Sequence, residues 1–211
     1  MYKISILIVT VTMFLLIGCG ISKQPRGDVM QEKTNPVFAL CQAGNLIKLK
    51  EKSMIRFTFN VQLPDKTVSR NWMWDIERDI VYLDGQQVNR DDKRFVNDKY
   101  WLLFPLMAYD DRQHTKVSMN PKSQSPISKE PCIEIIVAYI DGGGYTPNDI
   151  YKLYCREDRR IFEWAYYKGG QSPPARVTQW EDYNEFNGIV LSMTRPSEGR
   201  FKVWFTDVSI D

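Results

Sequence analysis

A single histidine in 211 residues leaves this chain poorly equipped for acid–base chemistry near neutral pH. That residue, His114, sits in the polar stretch Asp110-Asp111-Arg112-Gln113-His114 and reads as a solvated loop residue. No Gly-x-Ser-x-Gly elbow is present to seat a nucleophile, although a triad assembled only in space stays open at this level. The four cysteines, Cys19, Cys41, Cys132 and Cys155, include no Cys-x-x-Cys pair, so the spacing typical of zinc ligands is missing. Adjacent carboxylates such as Glu181 and Asp182 point to opposite faces of a strand and do not form an acid/base dyad. The stretch from Asp141 to Asp149 places oxygen side chains around glycines. It lacks the regular Asp-x-Asp-x-Asp ladder and closing Glu of an EF-hand, and it reads as a wide hairpin turn. The expectation is a protein that is not an enzyme and holds no metal and no cofactor.

An excess of charge of one sign is missing as well. Lys and Arg number 28 against 26 Asp and Glu, and removing residues 1–18 takes away one lysine, leaving 27 against 26. Short basic runs such as Lys48-Leu49-Lys50-Glu51-Lys52 are interrupted by acid and read as the solvated edge of a strand. Gripping phosphates requires a clustered basic excess, so nucleic acid is not expected as a partner.

Long apolar runs are scarce, and the one that exists is informative. Met1 to Gly18 carries Lys3, then an apolar block from Ile4 to Ile17 broken only by Ser5, Thr10 and Thr12. A membrane-spanning helix needs roughly 20 apolar residues, whereas a charged start followed by a shorter apolar block is the pattern of a secretory signal. The run ends in Leu16-Ile17-Gly18-Cys19, which resembles the lipobox of bacterial lipoproteins. The resemblance implies cleavage before Cys19 and diacylation of its thiol; the plainer alternative is a signal peptide with an incidental cysteine. Two or more acyl chains attach a protein stably, at about 0.8 kcal/mol per buried methylene, where one chain does not. Gly20 follows, not the Asp that resembles an inner-membrane retention signal. In a Gram-negative cell this implies the outer membrane, facing the periplasm. Ile21 to Lys33 is too polar to bury a core and reads as a tether. The expected organisation is a signal over 1–18, a tether over 19–34 and one domain over 35–211.

Within that domain, apolar residues alternate with period two. Ile55, Phe57, Phe59 and Val61 share one face of a strand, and Val68 to Ile76 and Asp79 to Leu83 continue the pattern. Later segments are Ile133–Ile140, Ile150–Cys155, Arg160–Tyr167, Arg176–Asp182, Gly188–Thr194 and Arg200–Ile210. Gly, Pro, Asn and Asp separate them at short intervals, the signature of an antiparallel meander. Asn120 to Pro131 reads as a long surface loop. Two segments look helical. Asn35 caps the first, Pro36 suits its first turn, and Val37, Leu40 and Cys41 share a face before Gly44. The second runs from Asn97 to Tyr109, with its apolar block Tyr100 to Phe104 halted by Pro105.

A helix followed by a long meander, behind a lipid anchor, resembles the LolA/LolB superfamily of lipoprotein carriers and acceptors. The segments Phe95 to Pro105, Tyr145 to Tyr151 and Thr178 to Tyr183 are similar to segments in an uncharacterised branch of it. The resemblance implies a mainly β (α+β) fold: an antiparallel, incomplete barrel or curved sheet with one or two short helices covering the concave side. It also implies an apolar cavity for an acyl chain or lipoprotein.

Aromatic residues make up 13% of the chain and fall mostly on strands, where the plainest role is core. Several strands are apolar on both faces and need cover on both. Tyr100, Trp101, Leu103 and Phe104 are the candidate wall of a ligand cavity, with Trp72 and Trp74 joining them if their side faces inward. Two functions stay open: a lipid-anchored, non-enzymatic binder of a hydrophobic ligand, or an interaction lipoprotein with a self-filled barrel that docks an envelope protein. Finally, pairing Ile140 with Pro147 would set Cys132 opposite Cys155, close enough for a disulfide. A register shifted by two would make them diagonal neighbours, too far apart to bridge, and one shifted by one would put them on opposite faces.

Overall fold

The structure is a computed structural model that describes residues 35–140 and 142–211. The signal, the tether and Cys19 lie outside the described residues. Helix α1, Pro36–Ala43, begins as its sequence dictates: Asn35 Oδ1 accepts the Val37 amide at 2.9 Å, and Val37, Leu40 and Cys41 are buried. The helix then stops at Gly44, where a Cβ would stand 2.9 Å from the Val190 carbonyl oxygen. Only glycine lets the chain approach the sheet so closely, and the Val190 amide donates to the Gly44 carbonyl at 2.9 Å. The basic run after it is not a strand edge. Leu46–Glu51 winds as a 3-10 helix that buries Leu46 and Leu49 and leaves the lysines outside.

Twelve antiparallel strands follow in two sheets. The first comprises β1 (Met54–Gln62), β2 (Thr67–Asp75), β3 (Ile80–Leu83), β4 (Gln86–Val88), β10 (Glu181–Phe186), β11 (Ile189–Pro196) and β12 (Lys202–Ile210). Its spatial order is β10-β11-β12-β1-β2-β3-β4. The second is a meander of β5 (Thr115–Gln124), β6 (Pro131–Tyr139), β7 (Ile150–Cys155), β8 (Ile161–Tyr167) and β9 (Arg176–Gln179). Trp180 alone separates β9 from β10, and its amide donates to the Phe162 carbonyl at 2.8 Å, so one bent strand carries the chain from sheet to sheet. The result is a mainly β fold of two sheets that do not close into a barrel, with edges at β4 and β5.

The chain crosses between those two edge strands as helix α2, Lys93–Asp110, whose side chains reach both sheets. Phe95 packs against Trp72 and Trp74 of one, and Phe104 against Tyr151 and Trp164 of the other. Pro105 does not halt this helix. It bends it, with Leu103 at φ −119° and ψ 25°. A proline removes the amide that would bond the carbonyl four residues back, here that of Trp101. Arg195 of β11 replaces it: Nη2 donates to the Trp101 oxygen at 3.0 Å. The guanidinium is fully buried, lies 3.7 Å from the centre of the Trp180 ring, and donates to Ser192 Oγ at 2.6 Å. Its desolvation pulls the Arg195 pKa down to about 9.

The outer face of the five-stranded sheet finds its cover locally. Cys132, Tyr154, Phe162 and Ala165 cluster there against Tyr167 and Val177, and the loop that joins β5 to β6 is fastened to β8, the strand that carries Phe162 and Ala165. The fully buried Glu163 carboxylate ties that loop down by accepting the Ile127 and Ser128 amides, each at 2.8 Å.

The β6–β7 ladder runs one residue away from the expected register. Ile133, not Cys132, lies opposite Cys155. Cys132 faces the outer cluster and Cys155 the main core, so no disulfide joins them, and both are free thiols. The register holds up to the turn: the Tyr139 amide donates to the Asp149 carbonyl at 2.9 Å, and the next amide, of Ile140, points the other way to the His114 carbonyl at 2.9 Å and continues the pairing with β5. Burial drives the Cys41 thiol pKa upward and that of Cys155 to about 12, which suppresses the reactive thiolate. Iodoacetamide is therefore expected to spare Cys41 and Cys155 in the native protein and to label both in urea. Non-reducing peptide mapping is expected to give no Cys132–Cys155 link; recovery of that link would refute the observed register.

Candidate functional site

The first half of α2, the β6–β7 loop and strands β7 and β8 enclose an open cavity of about 560 Å³. Half of the twelve described residues that line it are aromatic: Tyr100, Trp101, Tyr145, Tyr151, Trp164 and Tyr166. Strand pairing builds the floor. Tyr151 stands opposite Tyr166, and Trp164 is its diagonal neighbour on the same face. Tyr151 stacks on Tyr166 at 5.1 Å with planes 22° apart and on Trp164 at 5.5 Å with planes 30° apart. Helix α2 provides a wall, with the Trp101 ring 5.0 Å from Trp164 at 61°. Tyr145, from the loop, meets Tyr100 edge-on at 5.8 Å. Asp91, Lys93 and Asn97 line the side formed by the start of α2.

Buried carboxylates hold the polar tips of these rings. Tyr166 donates to Asp149 Oδ2 at 3.0 Å, while Asp149 Oδ1 accepts the Gly169 amide at 2.7 Å. Asp111 accepts the Tyr100 hydroxyl at 3.2 Å, and the Tyr100 and Tyr139 hydroxyls bond each other at 2.7 Å. Desolvation raises the Tyr100 and Tyr151 pKa values and pushes that of Tyr166 to about 12, with its Asp149 bond adding to the shift. The rings are thus neutral phenols at physiological pH.

Asp111 also accepts the Tyr145 amide at 3.0 Å, so one carboxylate ties the loop to the end of α2. The loop needs glycine there: Gly144 has φ +76°, and a Cβ would meet the Tyr139 ring at 2.8 Å. An unpaired buried donor costs about 1–3 kcal/mol. Asp111→Ala is accordingly expected to speed hydrogen exchange at the Tyr145 amide by roughly tenfold or more. Unchanged exchange would mean that the carboxylate does not hold the loop. His114 is half-buried against Gly143, where a Cβ would sit 2.4 Å from its Nδ1.

A lysine set among aromatic rings flanks the site. Lys99 Nζ lies 5.0 Å from the Trp74 ring centre, 5.1 Å from Phe95 and 5.4 Å from Tyr145. Desolvation lowers its pKa, and the nearby Arg90 adds to the effect.

Of the six residues expected to form the cavity, Tyr100 and Trp101 line it. Phe104 lies beneath it, fully buried and 4.5 Å from Tyr151, and Leu103 is core. Trp72 and Trp74 face inward against Phe95, away from this cavity, with Trp72 Nε1 donating to Asp98 at 2.8 Å. Tyr145, Tyr151, Trp164 and Tyr166 were not anticipated. For Tyr151, Trp164 and Tyr166 the signal is the doubled aromatic faces of β7 and β8; Tyr145, in the loop, has none. Among the described residues, no cluster of His, Cys, Asp and Glu has the geometry of a metal site, and no helix is long and apolar enough to cross a membrane.

No family model matches the chain, and no curated protein does. Two solved structures are similar in outline. A DUF1329 family protein from Desulfovibrio piger superposes with a TM-score of 0.47 at 10% identity, covering 84% of this chain and 94% of that one. A putative outer membrane lipoprotein-sorting protein domain from Vibrio parahaemolyticus gives a TM-score of 0.42 at 5% identity, covering 81% and 93%.

Proposed function

We propose that the protein is a non-enzymatic binder of a hydrophobic ligand, carried on the cell-envelope membrane by a lipid on Cys19. The observation that carries the binding reading is the aromatic cavity itself. At about 560 Å³ it lies within the 300–1,000 Å³ typical of small-ligand sites, and few polar groups converge on it. An acyl chain or the lipid of a lipoprotein is the ligand that the sequence resemblance implies. Native mass spectrometry of protein recovered from cells is expected to show a co-purified hydrophobic molecule. Neither such a molecule nor micromolar binding of a fluorescent fatty-acid probe would end this reading.

The anchor has its own test. Labelled palmitate is expected to enter the wild type and not Cys19→Ser, with precursor accumulating under globomycin. A second reading has one observation in its favour: the inner face of the seven-stranded sheet is filled by Phe57, Phe59, Trp72 and Phe205, closed off by Phe95. A protein that docks an envelope partner through its surface would need no more than such a filled interior.

A further inference from the structure

We infer that the ligand enters the cavity ring-first: the part held there is a flat aromatic or fused-ring face bearing a polar substituent, not a straight acyl chain. This rests on the ligand-binding reading above and narrows it. The first ground is what the walls are made of. Among the described lining residues Val96 is the sole aliphatic one, so the apolar surface they offer is almost wholly π-surface. A flexible chain gains by interdigitating with methyl groups and loses torsional freedom when it is straightened; a rigid ring has no such freedom to lose.

The second ground is the floor. Tyr166, Tyr151 and Trp164 succeed one another at 5.1 and 5.5 Å with their planes within 30° at each step, an offset stack in which Tyr151 and Trp164 are buried, so the ring faces left to a ligand are those of the half-buried Tyr166 and Trp101. Offset stacking of another ring on such faces contributes beyond the area it buries. The third ground is where the hydroxyls go. Those of Tyr100 and Tyr166 are committed to Asp111 and Asp149. These two residues therefore offer the cavity ring carbon more than free donors. Polar side chains that can meet a substituent are Asp91 just ahead of α2, Lys93 and Asn97 in its first turns, and Thr146 of the β6–β7 loop.

The experiment compares two carboxylic acids of equal carbon number, 2-naphthaleneacetic acid and dodecanoic acid. Each is titrated calorimetrically into the full chain in nanodiscs, with empty nanodiscs subtracted. The ring acid is expected to bind at least about tenfold more tightly, the scale of one good aromatic contact. Tyr166→Leu, at a half-buried position, is expected to reduce that affinity about tenfold, while Tyr166→Phe keeps the ring and stays within about twofold. Circular dichroism confirms that both variants fold, and Trp101→Leu on the opposite wall serves if Tyr166→Leu does not. Equal or tighter binding of the straight-chain acid overturns the ring inference and leaves the binder reading standing. Ring binding that is indifferent to Tyr166→Leu and Trp101→Leu also overturns it. If neither acid binds, both readings fall.

Discussion

Arg70→Met lowers the unfolding free energy by about 3 kcal/mol, read from urea denaturation. The guanidinium grips Asp98 with both arms, Nε to Oδ2 and Nη2 to Oδ1, each at 2.6 Å. Asp98 is completely buried on α2, and it also accepts Trp72 Nε1 at 2.8 Å and Asn97 Nδ2 at 2.9 Å. Removing the arginine leaves an enclosed carboxylate with neutral donors and no counter-charge, a loss that costs 3–5 kcal/mol in buried pairs. The lower end applies because the Arg70 side chain keeps 21% of its surface in water. The companion experiment separates the burial penalty from the attraction: Arg70→Met with Asp98→Leu recovers a large part of the loss. A single variant as stable as the wild type would show that the pair does not clamp α2 to β2.

Phe104→Ala costs about 3–5 kcal/mol, which in a chain of this size lowers the melting temperature by about 10 °C. Phe104 has no solvent exposure, and its ring lies 4.5 Å from Tyr151, 5.4 Å from Trp164 and 6.0 Å from Tyr100. These neighbours are held by their own stacking and by strand pairing, so they cannot collapse into the space that is vacated. The loss thus includes a void as well as the lost burial. A drop below about 1 kcal/mol would mean that the cavity floor repacks into the vacated space.

The strands that bury one face were legible because alternation is a property of the sequence itself, as in Ile55, Phe57, Phe59 and Val61. Helix α1 was legible for a similar reason, since Asn35, Pro36 and Gly44 act within a few residues of where they stand. What escaped is what depends on distant partners. Strand β5 has an almost entirely exposed sequence, Thr-Lys-Val-Ser-Met-Asn-Pro-Lys-Ser-Gln, and exists because β6 lies beside it. Pro121 falls where the β5–β6 register shifts, which is how an edge strand accommodates a residue with no amide to donate. Helix α2 passes through Pro105 because an arginine far along the chain takes the orphaned carbonyl, and nothing near Pro105 announces it. The cysteine register turned on how the β6–β7 turn aligns its two strands, with Ala138 opposite Ile150, and nothing in the sequence of the turn announces that alignment. At the site, the wall contributed by α2 could be read from its apolar block. The floor could not, because it exists only once β7 and β8 are aligned.

The place of β12 bears on how the protein comes into being. This last strand lies inside its sheet, with β1 on one side and β11 on the other, and the Ser53 amide reaches the Asp211 carbonyl at 2.9 Å. The seven-stranded sheet therefore waits on a segment made more than a hundred residues after the strand it completes. Closing so long a loop is slow, and until β12 arrives β1 has β2 alone as a neighbour and β10 and β11 stand apart from the rest of the sheet. Deleting β12 would for the same reason act like a cut through the middle of the molecule.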